Sequence, residues 1–256
     1  MDYNRDYLVH YYEADSRQRL TLPSLVRYFE DVAILHSARQ GLNLEHYHDS
    51  HCGWMLLKRD ITVRNLPSFA QTVRVGTRVN AIRKFLADRR FVMTDEGGAI
   101  LAEGSSNWLL VDTDRRRPMK VPEDYCARFS VSSDSESSFV AIDDVVFPSP
   151  VPADSESRPV RVGYGDIDTN SHVNNVSYLG WSLDSLPHDF FNGRAPSRMR
   201  AQYRKELVVG NEATVVSSVA ENAAGGSATT RHSVRSGEDE CCSLEIEWAP
   251  VARSES

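Results

Sequence analysis

Thr21-Leu22-Pro23-Ser24-Leu25-Val26-Arg27-Tyr28-Phe29-Glu30-Asp31-Val32-Ala33 opens a helix by two separate signals, and a third closes it. Thr21 can cap it, Pro23 is tolerated in the first turn, and Gly41 can end it. Leu22, Leu25, Val26, Phe29, Val32 and Ala33 recur at helical spacing and make one apolar face. Upstream, residues 7–13 read as extended. Downstream the period drops to two. Met55, Leu57, Arg59, Ile61 and Val63 alternate with Trp54, Leu56, Lys58, Asp60 and Thr62, and Val73, Val75, Thr77 and Val79 share one side of a second strand. Residues 85–94 and 99–112 complete four strands, the last two joined across Asp95-Glu96-Gly97-Gly98.

The same order restarts further along. An extended Val160-Arg161-Val162-Gly163-Tyr164 precedes a helix with Val176, Leu179, Leu183 and Leu186 on one face and Pro187 as its break. Strands are expected over 198–209, 213–220, 228–234 and 241–248. Tyr11 and Asp15 match Tyr164 and Asp168 at a common offset of 153, Thr72-Val73 matches Thr214-Val215, and Trp108 matches Trp248. One long helix against one antiparallel sheet is an α+β layer. A helix wrapped by such a sheet is a hot-dog unit, so the expectation is a double hot-dog. The first unit would occupy 1–126 and the second 157–256. Between them, 127–156 is expected to be a linker: Ser132-Ser133-Asp134-Ser135-Glu136-Ser137-Ser138 is polar and low in complexity, and Pro148, Pro150 and Pro152 stiffen the chain. Within it, Val145-Val146-Phe147 is expected to be pinned to a surface.

Composition narrows the function classes. The 256 residues are 41% hydrophobic and 25% charged, the mix of a globular protein with ample core. With 29 Lys and Arg against 36 Asp and Glu, the net charge is −7, and a dedicated nucleic-acid binder would need the opposite surplus. No apolar run reaches the roughly 18 residues of a membrane span. Met1-Asp2-Tyr3-Asn4-Arg5-Asp6 lacks the apolar core of a signal peptide and is too acidic for a transit peptide. Cys52, Cys126, Cys241 and Cys242 show neither metal spacing nor a disulfide framework, which points to a reducing cytosol. Cys241 and Cys242 are expected on opposite faces of a strand. His46, His48 and His51 with Asp49 could be read as a metal site, but they fall in an expected loop with no second ligand cluster and read better as surface histidines.

Chemistry concentrates in Gly165-Asp166-Ile167-Asp168-Thr169-Asn170-Ser171-His172-Val173-Asn174-Asn175. In an extended stretch Asp168, Asn170 and His172, spaced by two, point the same way. A helix follows, and its first amides have no partner inside the helix. A carboxylate, an amide, an imidazole and those amides, near Val173 and Asn174, could activate water and hold an oxyanion. In the first copy the same positions read Asp15, Arg17 and Arg19, so that copy looks structural or substrate-binding. The plainer reading is that Asp, Asn and Ser before a helix form caps and turns, and Asn174 or Asn175 is expected to be such a cap.

Asp-Ile-Asp-Thr-Asn-Ser-His-Val-Asn-Asn-Val, residues 166–176, resembles the signature of the acyl-acyl-carrier-protein (acyl-ACP) thioesterases, bacterial and plastid enzymes that end fatty-acid synthesis. Tyr12-Glu13-Ala14-Asp15 with Arg19-Leu20-Thr21-Leu22-Pro23 resembles the family's opening. Ser105-Ser106-Asn107-Trp108-Leu109-Leu110-Val111-Asp112 with Arg116-Arg117-Pro118 resembles the end of its first hot-dog, and Tyr203-Arg204-Lys205-Glu206 a strand in its second. The resemblance implies a catalytic set of Asp168, Asn170, His172 and Glu206, without metal or cofactor. Some members carry a cysteine after the glutamate. Here Leu207 stands there, which excludes a Cys–His mechanism for this chain. Glu206 is also the residue hardest to place. On a strand over 198–209 it shares its side with Arg200, Gln202 and Arg204, as a solvated carboxylate would, and a bulge or covering layer is needed to bring it to His172.

The resemblance further implies hydrolysis of acyl-ACP thioesters, with a carboxylate activating water, Asp168 preferred, and Glu206 acting through His172. Attack by Asp168 itself is the alternative. The implied partner is a small acidic acyl carrier protein, against which −7 gives no global attraction, so docking would fall to local cations. Candidates are Arg194, Arg198, Arg200, Arg204 and Lys205, with Arg83, Lys84, Arg89, Arg90 and Arg115 to Arg117 in the first half; such runs are usually solvated faces. An acyl-CoA thioesterase or a hot-dog hydratase, and a non-catalytic acyl-ACP binding module, are the competing readings. A homodimer is left open.

Overall fold

The computed structural model describes residues 1–131, 150–152, 155–221 and 226–251. The polar run from Ser132, the Val145-Val146-Phe147 segment and Pro148 lie outside the described residues. The chain divides into two compact units, Met1–Val145 and Val146–Ser256.

In the first unit β1 (Tyr3–Leu8) and a 3-10 turn (Tyr11–Glu13) precede α1 (Leu22–Arg39) and the short α2 (Leu44–Asp49). β2 (Cys52–Val63), β3 (Thr72–Arg83), β4 (Leu86–Thr94) and β5 (Ile100–Asp112) follow, then β6 (Arg117–Pro118) and α3 (Glu123–Arg128). The antiparallel strand order is β1-β3-β4-β5-β2, with β6 on β5. α1 starts where Thr21 accepts from the Ser24 amide at 3.2 Å, and Gly41, at φ +76, turns the chain away after it. Leu25, Val26, Phe29 and Val32 are buried beneath it, and Phe29 stacks on Phe91 of β4 with ring centroids 4.9 Å apart. Each such side chain contributes about 1.5–3 kcal/mol by leaving water. Beyond α3, Phe129 is buried in the core cluster with Leu42, Val79, Ile82, Leu110 and Tyr125.

In the second unit β7 (Glu156–Arg161) and a 3-10 turn (Tyr164–Asp166) lead to α4 (Asn175–Asp184). β8 (Arg194–Tyr203), β9 (Glu212–Glu221), β10 (Ala228–Ser236) and β11 (Asp239–Pro250) form an antiparallel sheet in the order β8-β11-β10-β9-β7. Val176, Tyr178 and Leu179 are the buried face of α4. Each unit is therefore one long helix on one antiparallel sheet, the hot-dog plan read from the sequence. Cys241 and Cys242 are both fully buried in β11.

Three local expectations need correction. The histidine run begins in α2 rather than a loop, and its members diverge: His46 Nε2 meets Tyr125 Oη at 2.8 Å while His51 Nδ1 meets Asp114 at 3.2 Å. The strand expected over 198–209 runs from Arg194 and stops at Tyr203. There the Arg204 and Lys205 amides both donate to the Cys241 carbonyl, at 2.8 and 3.3 Å, so one acceptor serves two residues and the ladder ends. Finally, residues 168–172 are not extended.

Candidate active site

Residues 167–173 form a tight turn closed by a bridge between Ile167 and Val173. The Asp168 amide donates to the His172 carbonyl at 2.8 Å, and the Ser171 amide to the Asp168 carbonyl at 3.1 Å. Asp168 also organises the turn from inside: its Oδ1 accepts from the Asn170 amide at 2.8 Å and the His172 amide at 3.3 Å. A short carboxylate bonding its own backbone two residues on is an Asx-type turn. Its Oδ2 faces Asn170 Nδ2 at 3.4 Å. The side chains of Asp168 and Asn170 meet, and His172 joins Asp168 through its backbone amide, all through a turn and not through strand alternation.

The first unit builds the same turn 153 residues earlier. Asp15 Oδ1 accepts from the Arg17 amide at 2.9 Å and the Arg19 amide at 3.0 Å, and the Asp15 amide donates to the Arg19 carbonyl at 2.8 Å. The side chains differ. Arg17 pairs back onto Asp15 at 3.1 Å, and Arg19 donates to the Leu66 carbonyl at 2.7 Å. One skeleton thus carries arginines in one unit and an amide with an imidazole in the other.

Glu206 reaches this turn because the strand has ended. Past Tyr203 the alternation that would place it beside Gln202 and Arg204 no longer applies, and Glu206 Oε2 lies 3.5 Å from His172 Nε2. Both side chains are about one-third exposed, at 32% and 35%, so the pair is open to a ligand. The approach is held by the next residues along each segment: the Val173 amide donates to the Leu207 carbonyl at 2.8 Å, and Leu207 is buried. Tyr178 Oη to the Lys205 carbonyl, at 3.4 Å, and Tyr203 Oη to the Asn175 carbonyl, at 3.3 Å, tie the same segments.

The helix-start amides fare differently from expectation. Those of Val173 and Asn174 are taken by the carbonyls of Leu207 and Asp166, so neither faces a substrate. Asn174 is the cap, its Oδ1 accepting from the Val176 amide at 2.8 Å. The sequence reading passed over Asp166. Its Oδ2 accepts from the Gly163 amide at 2.9 Å and its Oδ1 from Trp181 Nε1 at 3.2 Å. The constant offset that matched Asp15 to Asp168 also matches Glu13 to Asp166, and would have flagged it.

Most docking cations expected in the second half already have acidic partners. Arg194 pairs with Glu221 at 2.7 Å, Arg200 with Glu245 and Glu247, Arg204 with Glu240 at 2.5 Å, and Lys205 with Asp239. In the first half Arg89 is buried, with Nη1 3.1 Å from His36 Nδ1, which removes it from any docking face. Among the described residues no group of three or more His, Cys, Asp or Glu is placed to hold a metal ion, and no helix is long and apolar enough to cross a membrane.

Comparison with known proteins supplies the context. A palmitoyl-acyl carrier protein thioesterase of Gossypium hirsutum chloroplasts is 26% identical over 240 residues, covering 86% of this chain and 57% of that protein. An oleoyl-acyl carrier protein thioesterase of Arabidopsis thaliana chloroplasts is 23% identical, covering 80% and 60%. The chain thus spans little more than half the length of these relatives. A Lactobacillus plantarum protein assigned as an oleoyl thioesterase superposes with a TM-score of 0.86 at 25% identity, covering 97% of this chain and 96% of that one. The 12:0-ACP thioesterase of Umbellularia californica shares the fold, with a TM-score of 0.79 at 19% identity over 97% and 94% of the two chains. Residues 1–129 match the acyl-ACP thioesterase N-terminal domain and residues 151–250 the C-terminal domain, and on this match the chain belongs to the acyl-ACP thioesterase family.

Proposed function

We propose that the protein hydrolyses fatty acyl-ACP to free fatty acid and holo-ACP at Asp168, Asn170, His172 and Glu206. The observation that carries this reading is the His172–Glu206 approach at 3.5 Å, on a turn whose counterpart in the first unit has Arg17 and Arg19 where this one has Asn170 and His172. The second unit, over 157–256, is then catalytic. The first, over 1–126, holds the acyl chain. Residues 127–156 link them. Four free cysteines support a reducing cytosol as the setting.

The geometry favours a division of labour between the carboxylates. One oxygen of Asp168 is committed to two backbone amides, the duty Asp15 performs where no acid–base set exists, so Asp168 shapes the turn. Glu206 takes a proton from water as the water oxygen bonds to the thioester carbon and the carbonyl electron pair moves onto oxygen. Asn170 donates to that oxygen as charge develops. Collapse breaks the carbon–sulfur bond, and His172, beside Glu206, relays the proton to the departing thiolate. A thiol of pKa about 8.5 is a good leaving group, so this help is modest. A second reading has Asp168 attack directly and form an anhydride, and it rests on Oδ2, which faces the Asn170 amide group rather than the backbone.

The test is release of thiol and fatty acid from acyl-ACP and acyl-CoA of several chain lengths. Hydrolysis of acyl-ACP, lost by orders of magnitude in His172→Ala and Glu206→Gln, supports the proposal. Turnover of acyl-CoA alone, hydration without thiol release, or binding without turnover by a folded protein overturns it. Single-turnover hydrolysis in heavy-oxygen water separates the two carboxylate readings, since label in Asp168 marks direct attack.

A further inference from the structure

The turn that carries Asn170 and His172 begins and ends on one residue outside the proposed catalytic set. Asp166 spends both carboxylate oxygens and its carbonyl on three separate segments: the Gly163 amide before the turn at 2.9 Å, the Trp181 indole of α4 at 3.2 Å, and the Asn174 amide after the turn at 2.8 Å. Ser177 Oγ adds a fourth bond, to the same carbonyl, at 3.3 Å. Strand end, turn end and helix are therefore fastened at a single point. The residue on the far side, His172, is two positions from Asn174, so slack in this fastening moves the imidazole relative to Glu206.

The first unit uses the same device in different chemistry. Glu13 replaces Asp166, and its Oε2 accepts from the His10 amide at 2.8 Å and from Tyr28 Oη at 2.6 Å; its carbonyl accepts from the Thr21 amide at 2.9 Å. Glu13, Tyr28, His10 and Thr21 stand 153 positions before Asp166, Trp181, Gly163 and Asn174. The longer acid is matched with the phenol and the shorter acid with the indole. The phenol oxygen stands farther from its Cα than the indole nitrogen does, so the two pairs differ in reach; what recurs at matched positions is the acid–aromatic bond itself, which indicates that the pair together fastens the turn.

We infer that Asp166 and Trp181 are positioning residues for the proposed thioester hydrolysis, an acid–aromatic clamp that holds His172 against Glu206. The inference rests on the function proposed above, so its test has one arm that needs no substrate. In that arm hydrogen exchange is followed amide by amide. Trp181→Phe, which keeps a ring in place but removes the N–H donor, speeds exchange at Gly163 and Asn174 about tenfold, while the β10 and β11 amides are unchanged. Unchanged exchange at those two amides overturns the clamp whatever the protein's substrate is. In the activity arm Trp181→Phe and Asp166→Asn lower kcat roughly 10- to 100-fold with KM held within about twofold, the signature of displaced reacting groups. The double variant Asp166→Glu with Trp181→Tyr, which transplants the first unit's pair, restores kcat to within a few-fold. Tyr28→Phe removes the corresponding bond from the copy lacking Asn170 and His172, and leaves kcat within about twofold. A kcat loss as large in Tyr28→Phe, or a double variant no better than its worse single, overturns the positioning role. Loss of exchange protection with wild-type kcat does the same. If no thioester is turned over by the unaltered protein, the exchange arm still decides the clamp and the failure belongs to the function.

Discussion

Gln18 and Ser171 occupy the same place in two turns 153 residues apart, and both have left-handed backbone, at φ +60 and +64. Neither is glycine, so each turn tolerates a conformation that crowds Cβ against the following carbonyl. Ser171 is exposed, which leaves its substitutions to act through the backbone. Ser171→Val is expected to lower stability by about 1–2 kcal/mol. Urea titration of the two proteins measures it.

Glu30 and Arg59 give a larger stability prediction. The Arg59 side chain is 1% exposed and meets Glu30 at 3.0 Å, while its Nε and Nη1 have no hydrogen-bond partner among the described residues. A buried cation that loses its one acid is left uncompensated. Glu30→Ala should therefore cost about 3–5 kcal/mol, whereas the double replacement Glu30→Leu with Arg59→Met, which removes both charges, should be close to neutral. Denaturant midpoints of the two variants separate these outcomes. Equal losses would contradict the account.

Acid should unfold the protein by charging histidines that the fold keeps neutral. Burial pushes His232 down to about 3 and His36 down to about 4. For His36 the neighbouring Arg89 adds to the effect. Both folded values lie below the ordinary histidine value of about 6.5. Between the two limits the unfolded chain binds more protons. Stability from these groups is thus complete above about pH 6.5 and is lost as pH falls toward 4 and then 3, by up to about 1.4 kcal/mol per pH unit for each. His232 is held by Ser217 Oγ at 2.7 Å and Thr230 Oγ1 at 3.0 Å. Replacing it with Gln should cost stability at neutral pH yet flatten the slope between pH 6.5 and 4, which unfolding curves across that range would show.

Charge pairing bears on the proposed carrier. Since Arg194 and Arg204 already face Glu221 and Glu240, removing either should change the salt dependence of kcat/KM on acyl-ACP little. A clear loss of salt dependence in Arg204→Gln would show that the cation leaves Glu240 to meet the carrier.

How far the chain could be read without its structure depended on the range of the forces involved. Thr21, Pro23 and the Leu25-Val26-Phe29-Val32 face are local signals, and α1 lies where they put it. The residues of the proposed site were legible as a set, since Asp168, Asn170 and His172 differ from Asp15, Arg17 and Arg19 at matched positions. Their geometry was not. Alternation assumes an extended chain, but the Asp168 carboxylate bonds its own backbone and curls it. The approach of Glu206 to His172 was not legible, for a long-range reason. The strand ends where two amides share the Cys241 carbonyl, a fact held by β11 and absent from residues 198–209 themselves. The Asp166–Trp181 bond joins residues 15 apart through a folded turn, which periodicity cannot see.

The bond from the Val173 amide to the Leu207 carbonyl has a mechanical consequence. Val173 follows His172 and Leu207 follows Glu206, so imidazole and carboxylate ride on two segments riveted one peptide away. Thermal drift of the rest of the sheet carries both together and leaves their spacing alone. What moves the imidazole against the carboxylate is then local, in the two side chains and the fastenings of their turn, rather than any movement of the whole unit.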